Sequence, residues 1–177
     1  MLRLLRVSLL HLVLITSSAI AYADEQRNLF GLPDVTDVES DEVHRFAAGL
    51  SFRILNEDPN AQPWPNEFSH ENPMRFDGLW SSRWNSDGGD SWSGPANARI
   101  VKRGGRLFIR YFTGEDESAG GYLIEAVKQP DGLYIGRYST AGAQTSSGFW
   151  VGRIVSHERI DGFWTTTGRW DFRRKFE

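Results

Sequence analysis

Ala98-Arg99-Ile100-Val101-Lys102-Arg103-Gly104-Gly105-Arg106-Leu107-Phe108-Ile109-Arg110-Tyr111-Phe112 is the stretch that decides the fold. Two short apolar runs, 98–102 and 107–112, flank a pair of glycines. Gly104-Gly105 supplies positive φ at both central positions of a type I′ turn, whose twist suits two antiparallel strands. Along 107–112, Leu107, Ile109 and Tyr111 share one face while Phe108, Arg110 and Phe112 share the other, the period of a strand. The stretch reads as a β-hairpin.

The same chemistry extends outward in both directions. Further runs rich in aromatic and β-branched residues occur at 79–84, 122–127, 133–138, 149–155, 159–165 and 168–173. Gln129-Pro130-Asp131-Gly132 is a turn in which Pro sets φ and Gly closes it. Parallel neighbours need crossovers of roughly a dozen residues, and several gaps here are far shorter, so the connections are antiparallel. Eight consecutive strands expose two sheet edges, and closure removes both. The expected fold is therefore all-β, an antiparallel eight-stranded up-and-down β-barrel over 74–177; an open sandwich is the alternative. In the run at 149–155, Phe149, Val151 and Val155 lie opposite Trp150 and Ile154. A strand apolar on both faces needs a second cover, either the N-terminal segment or a second subunit.

Upstream the composition changes. Residues 24–73 hold eleven acids against Arg27, Arg45 and Arg53, a net of −8, whereas 74–177 hold fifteen bases against twelve acids, a net of +3. Five of the seven prolines precede residue 74. The barrel is thus preceded by an acidic, Pro-containing segment over 24–73. Within it, Thr36-x-x-Glu39 has capping-box form, and Val43, Phe46, Ala47 and Leu50 recur at helical spacing before Gly49 and a Pro- and Asn-rich connection over 56–72. A short docked helix is expected, with a partner-reaching arm or a cover for the barrel mouth as the sharper reading. Residues 1–23 read as a signal peptide: Arg3 and Arg6, an apolar run at 9–15 with Ile20, then Ala21-Tyr22-Ala23 before Asp24. The run is too short for a permanent membrane anchor. Zero Cys excludes disulfides and thiolate metal sites. With no Asn-x-Ser/Thr sequon, these features point to a secreted or periplasmic protein.

The strands share a recipe. Asp77-Gly78-Leu79-Trp80, Asp131-Gly132-Leu133-Tyr134 and Asp161-Gly162-Phe163-Trp164 carry Asp-Gly-apolar-aromatic, and Gly-Arg recurs at Gly136-Arg137, Gly152-Arg153 and Gly168-Arg169. Gly78-Leu79-Trp80 on the first strand, with Arg169, Arg173 and Arg174 on the last, resembles the calycins, the lipocalin and avidin type of eight-stranded barrel. That resemblance implies Gly78, Trp80 and Arg173 as structural residues, the tryptophan packed beneath an arginine from the barrel's end, with Arg169 as the fallback partner. Trp150-x-Gly152, Arg159-Ile160-Asp161 and Trp164 are more specifically similar to the avidins, which implies that Trp150 and Trp164 line a ligand pocket. Trp170 follows Trp164 too soon to match that family's next tryptophan.

Searches for chemistry leave little. Gly89-Asp90-Ser91 has the start of a serine-protease nucleophile loop, but Trp92 replaces the glycine that should follow. His44, His70 and His157 lack paired ligand spacing. Asn85, Asp87 and Asp90 lack the register of a calcium loop. Glu115-Asp116-Glu117 reads as a charged hairpin tip, and Glu125 and Asp161 are carboxylates that could meet across strands. No catalytic set, metal site or cofactor is expected, and +3 without a dense basic run argues against nucleic acid. The aromatic content remains: six of seven tryptophans lie in 74–177, filling the core or lining a mouth. The reading is an exported, non-catalytic binding barrel for a small, partly apolar ligand, with Ser82, Tyr111, Tyr122, Trp150 and Trp164 as candidate contacts. Seventeen Arg against three Lys suggests capture of carboxylate groups. A protein-interaction module is the alternative, in which the acidic arm enters a partner as in bacterial metalloprotease inhibitors; a homo-oligomer is also open, and an enzyme ranks third.

Overall fold

The computed structural model describes residues 30–32, 34–52, 76–89, 91–117, 120–141 and 146–175. The segment at 1–23, its cleavage site and the connection at 56–72 lie outside the described residues. One compact unit spans Val35–Glu177. It comprises α1 (Asp41–Ala48), β1 (Gly78–Trp84), β2 (Ser93–Arg103), β3 (Arg106–Phe112), β4 (Tyr122–Lys128), β5 (Leu133–Thr140), β6 (Ser147–Ser156), β7 (Arg159–Phe163) and β8 (Trp170–Arg174). Every strand pairs antiparallel with the next, and β8 returns to β1, closing the barrel in sequence order. The closing register runs from Trp80 opposite Arg174 to Trp84 opposite Trp170.

All eight expected strands are present, with five ends displaced by two residues or more, β5 and β6 each running two residues further toward their shared loop. β2 begins five residues before 98, at Ser93. Its pairing with β1 shifts between Ser82 and Trp84, and Gly94 absorbs the irregularity at φ 113°, where a Cβ would lie 2.8 Å from the Ser82 carbonyl oxygen. A Gly-Pro pair that reads as loop is therefore strand. β7 stops at Phe163 and β8 starts at Trp170 because 164–169 folds on itself. The Trp164 N–H donates to the Gly168 carbonyl at 3.1 Å, and the Gly168 N–H donates to Thr165 Oγ1 at 2.6 Å. One bridge, Phe163 to Arg169, is left of the ladder there.

Period two sends Trp80, Ile100, Leu107, Ile109, Ile124, Trp150, Ile160 and Phe172 into the barrel, all fully buried. An eight-stranded barrel is just wide enough for such side chains to fill. The Gly-Arg recipe acquires a physical meaning here. Gly136 stands opposite Trp150, and Gly152 and Gly162 also border it: a Cβ on Gly162 would lie 2.6 Å from the Trp150 indole nitrogen, and one on Gly152 would overlap the indole's far edge. Gly152 and Gly162 make room for the indole inside, whereas Gly136 lets the β4 backbone approach, since a Cβ there would lie 2.5 Å from the Ala126 Cα. Arg137 and Arg153, which follow Gly136 and Gly152, lie over Phe149 and Phe52.

The outer apolar face of β5 and β6 is covered by α1. Val43 is fully buried against Ile135 and Val151, with Phe46, Ala47 and Leu50 packed alongside. Phe46 stacks on Phe149 at 5.1 Å. Full burial of a valine-sized side chain stabilises by about 1.5–3 kcal/mol. Asp41 and Glu42 in the first turn and Arg45 in the last complement the helix dipole. The helix starts after Ser40 rather than at the Thr36-x-x-Glu39 box, whose residues form a turn.

Candidate functional site

The two ends of the barrel are built differently. At one end the connections are two, four and two residues long, at 104–105, 129–132 and 157–158; at the other they are eight, nine, six and six, at 85–92, 113–121, 141–146 and 164–169. The inward residues nearest the long loops are aromatic. Trp84 pairs across the sheet with Trp170, and Tyr111 with Tyr122. Between β1 and β3, the inward residues of β2 nearest these loops are the small Ala96 and Ala98, so Trp84 and Tyr111 meet across it, edge to face at 5.6 Å.

Trp170 is the centre of this cluster. Its ring lies 5.4 Å from Tyr111, 5.9 Å from Tyr122 and 5.7 Å from Tyr138, each edge to face. Such pairs add about 0.5–1.5 kcal/mol beyond area burial. Its indole N–H donates to Ser82 Oγ at 2.8 Å, which fixes the ring's orientation, and Phe172 stacks beneath it at 6.1 Å. Trp164 adjoins Tyr138 at 6.3 Å, and Gly148 leaves space for the Tyr138 phenol, since a Cβ there would lie 2.5 Å from its oxygen. Trp84, Tyr122, Tyr138 and Trp164 are half-buried, whereas Tyr111 and Trp170 are buried. The arrangement is a shallow cup with Trp170 as floor and four partly exposed rings as wall. The hydroxyls of Tyr111, Tyr122 and Tyr138 make no hydrogen bond among the described residues. Burial, then the neighbouring Tyr122 phenol, pushes the Tyr111 and Tyr138 hydroxyls above the usual tyrosine range, so both stay neutral.

The candidate contacts therefore separate by depth. Tyr111, Tyr122 and Trp164 border the cup. Ser82 lies fully buried beneath the floor and holds Trp170. Trp150 is deeper still, fully buried, with its indole N–H 3.4 Å from the Trp170 carbonyl oxygen. Trp84, Tyr138 and Trp170 complete the cup and escaped sequence reasoning. Their signal was positional, since each is an inward aromatic within two residues of a strand end that meets a long loop. Asn85 was read against a calcium loop; instead it ties two loops together. Its Oδ1 accepts from the Arg169 N–H at 2.9 Å and the Gly88 N–H at 3.1 Å, its Nδ2 donates to the Gly89 carbonyl at 2.9 Å, and its carbonyl accepts from Trp164 Nε1 at 2.6 Å. Among the described residues no group of three or more His, Asp or Glu is arranged to hold a metal.

The arginines lie elsewhere. Arg173, paired with Ser81, faces outward, and the residue opposite Trp80 on the inner face is Arg174. Arg173 sits 3.3 Å from Asp161, which also receives a two-pronged contact from Arg159 at 2.9 and 2.7 Å. Arg169 bridges Asp171 at 3.1 Å and Asp161 at 3.7 Å while stacking over Phe163 at 4.3 Å. Glu125 does not meet Asp161: it binds Arg106, and the second carboxylate beside Asp161 is Asp171. Both aspartates are fully buried. Burial, reinforced by Asp161, lifts the Asp171 carboxyl to about 6 against the pull of Arg169 and the Gly162 N–H. Burial lowers the Arg173 guanidinium to about 9, still a cation at neutral pH. Arg159, Arg169 and Arg173 are thus committed to this outer wall and not to the cup.

No family model, no curated protein and no solved structure matches this chain.

Proposed function

We propose that this is a non-catalytic binding protein that receives a small, partly apolar ligand on the cup of rings at its loop-bearing end. The observation that carries the reading is the cluster around Trp170: partly exposed rings and uncommitted phenols converge at the mouth of a barrel packed solid below. Ligand sites are largely apolar surfaces with a few convergent polar groups, and the three phenols supply those groups. The closed meander, with Trp80 of β1 opposite Arg174 of β8, supports a calycin-type barrel, although a fold does not by itself carry a function. We further propose that the chain is exported after loss of residues 1–23. The helix α1 is spent on the barrel's own wall, which leaves less of 24–73 to act as a partner-reaching arm.

Native mass spectrometry of protein purified from its source tests the reading. A retained small molecule, lost on Trp164→Ala or Tyr122→Ala substitution with the fold intact, is the expected result. A retained protein partner that both variants still bind would replace it with the interaction-module reading.

A further inference from the structure

We infer that the cup's ligand is an organic cation carrying an alkylated ammonium group, an assignment that rests on the cup being the binding site. Three features of the loop-bearing end point the same way. First, four half-buried rings, Trp84, Tyr122, Tyr138 and Trp164, border it. Aromatic faces are electron-rich, and an alkylated ammonium over such a face is attracted by its quadrupole while its methyl groups bury apolar area. Tyr111 and Tyr138 are held as neutral phenols, so they offer ring faces and oxygen lone pairs to a cation without a fixed charge to desolvate.

Second, the loops around the cup are acidic. Segments 85–92, 113–121, 141–146 and 164–169 contain Asp87, Asp90, Glu115, Asp116 and Glu117 against a single base, Arg169. Arg169 is only 4% exposed and is turned onto the outer wall, where it meets Asp171 and Asp161. Glu117 is paired with Arg99 at 2.5 Å, whereas Asp87 and Glu115 are exposed. The short-turn end carries the opposite sign, since Lys102, Arg103, Arg106, Lys128, Arg174 and Lys175 near its connections outnumber Asp77, Asp131 and Glu158. The barrel is thus charged along its axis, negative where the rings are, and such a field draws cations to the mouth.

Third, the cup offers an anion phenol O–H donors but no cationic side chain. The arginines on the strand ends nearest these loops, Arg83 and Arg110, project outward. Arg83 stacks over Trp92 at 4.2 Å, and Arg110 donates to the Glu117 carbonyl at 2.7 Å. The carboxylate ligand that seventeen arginines suggested meets no inward-facing arginine at this end. A primary ammonium would also be served poorly, because it is strongly hydrated and finds no carboxylate within the cup. An alkylated ammonium is weakly hydrated and needs none.

The test compares choline with its uncharged isostere 3,3-dimethyl-1-butanol by tryptophan fluorescence titration of the exported chain. Choline should bind at least about tenfold more tightly, and its affinity should fall as sodium chloride is raised through 0.5 M. Tyr122→Leu, which keeps apolar volume but removes a ring, should weaken choline about tenfold and leave the isostere nearly unchanged. The surface pair Asp87→Asn and Glu115→Gln, remote from the core, should weaken choline about two- to fivefold through the field alone. An isostere that binds as well as choline overturns the cation assignment and leaves the cup standing. Choline binding that survives Tyr122→Leu and both charge changes overturns it as well, by placing the cation elsewhere. No response to either probe removes the cation assignment together with the cup.

Discussion

β7 and β8 present two faces, both nearly free of solvent and chemically opposite. Inward they carry Ile160, Trp170 and Phe172, packed among rings and branched chains; outward they carry Asp161, Asp171 and Arg173, joined by Arg169 from the connection between them, all at most 4% exposed. An alternating strand ordinarily means apolar inside and solvated outside. Here alternation separates two interiors, one held by burial and one by charge pairs. The inner face tolerates neighbours of many shapes if volume is kept, whereas the outer face fails when one charge is left without its partners.

The largest expected effects separate those interiors. Trp150→Ala empties the space that Gly152 and Gly162 frame and should cost about 3–5 kcal/mol, enough to unfold a marginal domain. Urea denaturation measures it. If the inner face is a packed core, Trp80→Ala should lose a similar amount, since Trp80 is also fully buried. A Trp150→Ala protein within about 1 kcal/mol of the parent would mean that the indole is not packed. On the other face, Asp161→Ala leaves Arg159 and Arg173 facing an emptied site and should cost about 3 kcal/mol or more. Adding Arg173→Met should restore part of that loss, because removing a stranded charge is favourable. Additive losses in the double variant would show that the outer wall is not an electrostatic unit.

The first interior was legible in the sequence and the second was not, for a physical reason. The hairpin at 98–112 and the alternation of Leu107, Ile109 and Tyr111 define a strand's inner face locally. The closing contacts are remote: Trp170 reaches Ser82 across 88 residues and Trp164 reaches Asn85 across 79. Both need the barrel closed before they exist. Alternation marks Asp161 and Asp171 as outward, but it says which way a side chain points, not what lies above it. The cup was half legible. Loop lengths alternate short and long along the chain, and that alternation marks one end for function; Trp84, Tyr138 and Trp170 follow from it without any motif.

A smaller effect sharpens the comparison through pH. Asp171 is held near 6 by burial, whereas an unfolded aspartate releases its proton near 3.8. Between those values the folded protein binds a proton that the unfolded chain has lost. Asp171 therefore contributes stability that is complete below about 3.8, declines as pH rises through 6, and is gone above it. The difference amounts to at most roughly 3 kcal/mol. Asp171→Asn keeps an acceptor for the Gly162 N–H, which Asp171 Oδ1 binds at 2.8 Å. Chemical denaturation from pH 4 to 8 should show the variant gaining on the parent as pH rises through 6. Parallel profiles would mean that Asp171 is an ordinary carboxylate and that the outer wall is wetter than its burial indicates.

The smallest expected change concerns Trp164, where the cup and the core can be told apart in one residue. Its ring is half-buried, so phenylalanine loses little packed surface there. The indole N–H to the Asn85 carbonyl at 2.6 Å is lost, a partly buried hydrogen bond whose net worth is about 0.5–1.5 kcal/mol. The same substitution at Trp150 shrinks a ring with no exposed surface and should cost about 1–3 kcal/mol. Ligand affinity should move the other way: Trp164→Phe narrows the cup's wall and should weaken choline several-fold, while Trp150→Phe, two layers down, should change it little. Melting temperature and fluorescence titration on both variants give the four numbers. If Trp164→Phe lowers stability as much as Trp150→Phe and leaves affinity untouched, the rings around Trp170 are the top layer of the core and not a binding surface.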